Sequence, residues 1–134
     1  MRFTLAAALL SAVADRFGFW GAAGGTNVAW GEFSTFVEYT AQVNSFLPAQ
    51  LAPVLAWTGT ALELVLGLAL IAGFRVRITA AVSGALLLLF ALAMTLSFGV
   101  KVPLDYSVFT ASAGAFLLSA IHARSSIAVM RGHT

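Results

Sequence analysis

Glu63 is the only ionisable residue between positions 54 and 72, a stretch otherwise dominated by leucine, alanine and valine. A second acid, Asp15, stands beside Arg16 where the apolar run of residues 3–14 gives way. In hydrocarbon a charged side chain costs roughly 2.5 to 3.5 kcal/mol on insertion scales, so it is kept with a partner or a task. With spans at residues 3–22 and 52–72 and a rise of about 1.5 Å per residue, Glu63 falls within about 2 Å of the midplane and Asp15 and Arg16 about 5 Å to one side. The arginine side chain can bridge that offset. We therefore expect an Arg16–Glu63 ion pair or a water-bridged contact. A buried carboxylate can take up a proton and an arginine can polarise a carbonyl, which is the chemistry of an amphiphile such as a quinone. The alternative is that the pair only fixes helix register.

Gly59, Glu63 and Gly67 recur at intervals of four, which puts them on one helix face. A face without side chains on either side of the acid can seat a neighbouring helix or leave room for a ligand. Trp57 and Thr60 could line the same region, the bland alternatives being an interfacial anchor and a backbone-bonded hydroxyl. Lys101 and Asp105 form a candidate outer rim, with Asp15, Asn27 or Glu32 as partners across the top. His122 and His133 have no second ligand at i+3 or i+4, so metal or haem ligation is not expected; a histidine there serves the last helix carbonyls. No phosphate-cradling glycine loop, nucleophile elbow or paired-carboxylate arrangement is present.

The elements that position these residues follow from composition. Of 134 residues, 60% are hydrophobic and 9% charged, far from the roughly one-quarter charged that is usual in soluble domains. The net charge of +2 is scattered, with no basic cluster to follow a phosphate backbone, so nucleic acid is not an expected partner. Cysteine is absent, which removes thiol relays, disulfides and thiolate metal sites. Spanning about 30 Å of hydrocarbon takes about 20 helical residues. Four stretches are candidates, at about residues 3–22, 51–72, 77–98 and 105–123; the last three are clear, and the first is interrupted by Asp15 and Arg16. Pro48 and Pro53 open the second and Gly73 ends it. The fourth is opened by Pro103 and Asp105, with Asp105 placed to cap its free amides, and Ser107, Ala111, Gly114, Ala115 and Ser119 give it a close-packing face. Arg2, with the Ser11 to Ala14 run before Asp15, also resembles a secretory signal, but apolar character continues through Phe17, Phe19 and Trp20, and a span is the preferred reading.

The fold expected is all-α, a single transmembrane domain over residues 1–134 built as a four-helix antiparallel integral membrane bundle. Phe33, Phe36, Val37, Thr40, Val43 and Leu47 recur at helical spacing, which predicts an additional amphipathic interfacial helix at about 31–47. Arg2, Arg75 with Arg77, and Arg124 with Arg131 fall on one side of this arrangement. The positive-inside rule then makes both termini cytoplasmic. Short turns between spans imply antiparallel packing of sequential helices.

The run Ser11-Ala12-Val13-Ala14-Asp15-Arg16-Phe17-Gly18-Phe19-Trp20-Gly21 belongs to a wider pattern. With Asn27-Val28-Ala29-Trp30-Gly31, Leu47-Pro48-Ala49, the Glu63 helix ending in Gly73-Phe74-Arg75-Val76-Arg77, and Pro103-Leu104-Asp105-Tyr106-Ser107, it resembles the DoxX-like family of small four-helix membrane proteins over about residues 5–120. The resemblance implies a bacterial inner-membrane protein whose second-helix glutamate, matched by Glu63, is its signature polar residue, and matches Arg77 to the basic residue after that helix. Some such proteins are linked to quinone-dependent thiosulfate oxidation and others to thiol redox; the lack of cysteine argues against thiol exchange here. Whether the chain is itself an enzyme is left open by these patterns.

The functional expectation is a partner or assembly subunit of a redox-linked membrane complex, its partners the lipid bilayer and another membrane protein or a second copy. The alternatives are a quinone- or amphiphile-binding subunit of an oxidoreductase and, last, a small transporter or proton path. No cofactor is expected within the chain itself, and a quinone is the candidate ligand. The ligand-binding candidates are Glu63, Arg16, Asp15, Trp57 and Thr60, the helix-packing candidates Gly59, Gly67 and Gly114.

Overall fold

The structure, a computed structural model, describes residues 1–131 and is all-helical over them. Helix α1 covers Arg2–Arg16 and buries Leu5, Ala6, Leu9 and Val13, spaced so that they share one face. It stops at Arg16 instead of continuing toward residue 22. Gly18 turns the chain with φ +77°, and its amide bonds back to the Asp15 carbonyl at 3.1 Å. That same carbonyl accepts Gly31 N–H at 3.2 Å, so the connecting segment folds down onto the end of the helix. Gly31, at φ +72°, is in a conformation suited to glycine, and a Cβ there would lie 2.2 Å from the Ala23 nitrogen.

Helix α2, Phe33–Val43, is the expected amphipathic segment and buries Phe36, Thr40 and Val43. A short 3₁₀ turn, Ala49–Leu51, leads into α3, Ala52–Ala72, with Pro53 in its first turn where no intrahelical N–H is required. Gly73 ends α3 in the left-handed region at φ +73°, with Phe74 N–H bonding the Ala69 carbonyl at 2.9 Å. Helix α4, Val76–Phe98, follows after a three-residue turn. The chain then forms a short helix α5, Lys101–Asp105, before α6, Val108–Arg131. Asp105 therefore lies at the end of α5 rather than at the cap of the last long helix. The break between them falls at Ser107, at φ +56°.

The four long helices form two antiparallel pairs. Helix α1 packs along α3, and Gly67 permits the closest approach: a Cβ there would sit 2.7 Å from Leu10 Cγ. Helix α4 packs along α6, with Ser112 Oγ donating to the Gly84 carbonyl at 2.8 Å and Ser119 Oγ to the Arg77 carbonyl at 2.7 Å. A Cβ on Gly84 would meet the Phe116 ring at 3.0 Å. Gly114, expected on this face, has nothing within 4 Å of such a Cβ and lies outside the contact. Helices α3 and α4, although joined by the tightest connection, touch less than either pair.

The two pairs meet in one core. Leu5, Ala6 and Leu9 of α1, Leu66 and Leu70 of α3, Val76, Ala80 and Leu86 of α4, and Ala115 and Leu118 of α6 close on one another toward the Gly73 end. Arg2 reaches the same end, its Nη1 2.8 Å from where a Gly73 Cβ would be. Toward the other end α3 and α4 are bridged by α2. The outer faces of α3 and α4 expose Val54, Val65, Leu68, Ile78, Leu89 and Leu96. The segments Ala49–Ala72 and Val76–Phe98 are long and apolar enough to cross a membrane.

Candidate functional site

The end of α1 and the middle of α3 meet through their charges. Arg16 Nη1 donates to Thr60 Oγ1 at 2.8 Å and Nη2 donates to Glu63 Oε1 at 3.0 Å. Nη2 also stands 2.8 Å from Glu63 Oε2, within ion-pair reach although no N–H is aligned with that oxygen. Both side chains are almost completely buried, at 3% and 4% exposure. Taking two ions out of water is expensive, and their attraction offsets the cost only with good geometry and further bonds. Thr60 supplies one such bond. Phe36 supplies another contact, its ring centroid 3.8 Å from the guanidinium carbon, with Trp30 at 5.4 Å. A cation over a desolvated aromatic face gains about 2 kcal/mol.

Asp15 faces a different task. Its Oδ2 accepts the backbone amides of Ala29 and Trp30 at 2.9 and 3.1 Å, which ties the long connection to the end of α1. Through these bonds Trp30 is held against Arg16. The acid thus positions the aromatic wall of the ion pair.

Beside the pair lies a cavity of about 600 Å³. Its walls come from α2, α3 and α4: Phe36 and Tyr39 on one side, Gly59 and Leu62 on the second, Leu86 and Phe90 on the third, with Arg16 and Glu63 in the polar part. Gly59 matters here through its size. A Cβ would first meet the Phe90 ring at 3.5 Å, an ordinary contact, so this glycine widens the cavity instead of admitting a helix. Leu55, Leu62, Leu89, Leu92 and Leu96 line the cavity and are also exposed on the outer surface, so it opens sideways between α3 and α4. Tyr39, near the α2 rim, keeps its proton more firmly than an ordinary phenol, because burial disfavours the phenolate and the neighbouring Tyr106 adds to the effect.

The residues singled out in the sequence do not all meet at this cavity. Arg16, Thr60 and Glu63 are brought together. Trp57 is not: it is exposed, with its ring 4.2 Å from Phe33 and 6.2 Å from Phe17 in an aromatic group away from the cavity. Lys101 and Asp105 pair with each other one turn apart on the exposed α5, and neither reaches across to Asp15, whose partners are the Ala29 and Trp30 amides. His122 Nδ1 lies 3.0 Å from the Leu118 carbonyl of its own helix, while His133 lies outside the described residues. Phe36, Tyr39 and Phe90 were not foreseen as site residues. The periodicity of α2 showed that Phe36 and Thr40 share a face, but nothing local showed that this face covers Arg16. No family model, curated protein or solved structure matches the chain.

Proposed function

We propose that the chain is a small DoxX-like integral membrane protein that binds an amphiphile, of which a quinone is the best candidate, with its polar head at Arg16 and Glu63 and its tail between α3 and α4. The observation that carries this reading is the apolar cavity of about 600 Å³ with a buried ion pair in its wall. Ligand cavities are commonly about 300 to 1,000 Å³, largely apolar, with a few convergent polar groups. An arginine N–H can donate to a ring carbonyl, and Glu63 Oε2, buried with no hydrogen-bond donor among the described residues, would accept from a hydroxyl once the carboxylate turns toward the cavity. Oxidation or reduction of the head would draw its electrons from a partner, since the chain offers no cysteine and no prosthetic group is expected in it.

Membrane placement is supported by the lengths of α3 and α4, 21 and 23 residues, which correspond to about 31 and 35 Å. Only 33% and 22% of their most apolar windows is buried within the protein, so most of that surface needs an apolar solvent. Arg2, Arg75 and Arg77 lie at one end of the helices, which under the positive-inside rule favours a cytoplasmic location for that end. Photolabelling of the membrane-embedded protein with an azidoquinone, competed by unlabelled quinone, tests the reading. Labelling should map to the α3–α4 walls and fall at least tenfold in Gly59→Phe. Undiminished labelling of that variant would refute it.

A second reading, a partner or assembly subunit, is favoured by Gly114. It stands on α6 with open space where a side chain would be, so another helix could approach closely there. Blue-native electrophoresis in mild detergent separates the two: Gly114→Leu should dissolve a complex built on this face and leave quinone labelling unchanged. A transporter is less well supported, because α3 and α4 are continuous helices rather than the broken ones that mark substrate sites.

A further inference from the structure

Four arginines that stand far apart in the sequence are brought to one end of the protein. Arg2 opens α1, Arg75 and Arg77 lie at the turn between α3 and α4, and Arg124 follows Ser119, whose hydroxyl donates to the Arg77 carbonyl at 2.7 Å and so ties α6 to that turn. Arg2 reaches across to the same turn, its Nη1 2.8 Å from the Cβ position of Gly73. The acids lie elsewhere: Asp15, Glu32, Glu38 and Asp105 toward the other end, and Glu63 in the middle of α3. Among the described residues the ion pairs are Arg16–Glu63 and Lys101–Asp105, so none of these four guanidinium groups has an anion beside it.

The turn that presents them is pinned. Phe74 N–H bonds the Ala69 carbonyl at 2.9 Å, and Thr79 Oγ1 donates to the Phe74 carbonyl at 2.8 Å. Two phenylalanines share this end, Phe3 at 61% and Phe74 at 63% exposure. Each lies under a guanidinium group: Arg2 Cζ is 4.6 Å from the Phe3 ring centroid and Arg75 Cζ is 5.9 Å from that of Phe74. An apolar ring with a cation directly above it matches the order of groups at the edge of a bilayer, where acyl chain gives way to phosphate. An anion dissolved in water would use the arginines and leave both rings without a partner.

We infer that this end of the protein binds the phosphate of an anionic phospholipid from the surrounding leaflet. Arg2 and Arg75 donate to the phosphate oxygens, for which the planar fork of a guanidinium group is suited, while Phe3 and Phe74 rest against the acyl chains. Arg77 and Arg124 add charge at the same level. A choline lipid carries the same phosphate, but its ammonium brings a further positive charge to an end that has no acid, so the anionic lipid is preferred. Attraction of a basic residue to an anionic leaflet corresponds to about fivefold in affinity for each residue. The inference rests on the membrane placement of α3 and α4 and is independent of the amphiphile cavity, which none of these arginines and phenylalanines lines. The occupant is a lipid in exchange with the leaflet.

The test is electron spin resonance of the full chain in phosphatidylcholine vesicles carrying a trace of chain-labelled phosphatidylglycerol or chain-labelled phosphatidylcholine. The motionally restricted component at the protein should favour phosphatidylglycerol at least about fivefold, and high salt should reduce that preference. Arg2→Gln/Arg75→Gln should bring it below about twofold. Arg75→Gln/Arg77→Gln, at two exposed positions, should do the same and carries the test if the first pair does not fold. Lys101→Gln, at the opposite end, should leave it unchanged. Inorganic phosphate should displace no more labelled phosphatidylglycerol than chloride does at matched ionic strength; greater displacement would assign the arginines to a free phosphate and overturn the lipid site. Equal restriction of the two lipids by the parent, or a preference unmoved by both double variants, would also overturn it. No restricted component with either lipid would overturn the membrane placement as well.

Discussion

Removing Arg16 should cost far more than removing Glu63, although the two are partners. Arg16→Gln loses the donors to Thr60 and Glu63 and the contact with the Phe36 ring, and leaves two carboxylates at 6% and 3% exposure with no cation between them. Breaking a buried pair in this way costs about 3 to 5 kcal/mol. In Glu63→Gln the new amide oxygen still accepts from Nη2, and the remaining Asp15 and Arg16 are formally neutral together. The expected loss is that of one charge-assisted bond, about 1.5 to 3 kcal/mol. Replacing both by methionine removes the desolvation cost of two ions, so Arg16→Met/Glu63→Met should come within about 2 kcal/mol of the parent and exceed either single methionine variant. Equilibrium unfolding in mixed micelles, titrated with sodium dodecyl sulfate and followed by far-UV circular dichroism, measures all of them. Equal losses in the two glutamine variants, or a double variant less stable than Arg16→Met alone, would refute the argument that burial makes the pair depend on its arginine.

Other glycines give opposite expectations on the same assay. Gly67→Ala forces Leu10 to move from 2.7 Å and should destabilise by about 1 to 3 kcal/mol. Gly114→Ala meets nothing and should be neutral or stabilising by up to about 1 kcal/mol, and loss of stability there would show α6 packed differently. Gly73→Ala must adopt φ +73° and displace Arg2, so it should cost about 1 to 2 kcal/mol, readable as a lowered unfolding midpoint; no change would contradict the left-handed cap.

The contact between Arg16 and Glu63 was legible because rise per residue fixes relative depth along two antiparallel helices, and depth is all that a long side chain needs. The face of α2 was legible for the same kind of reason, since Phe36, Thr40 and Val43 repeat with the helical period. What covers that face was not, because it depends on how a 16-residue connection returns to the bundle. That return is decided by the Asp15 carboxylate and carbonyl bonding three amides from residues 29–31, which no local pattern encodes. The small-residue faces show the same limit. Gly59, Gly67, Gly84 and Gly114 are alike as sequence, yet the structure makes one a cavity wall, two helix contacts and one open surface. Trp57 was grouped with Glu63 by proximity along the chain, but its position on the helix turns it toward Phe17 and Phe33.

Native mass spectrometry of the protein released from its own membranes, followed by fragmentation of whatever amphiphile accompanies it, tests the central claim most directly. The account predicts one tail-bearing molecule per chain in the parent, retained in Gly114→Leu and lost in Gly59→Phe. The same adducts in parent and Gly59→Phe, or none in either, would contradict it.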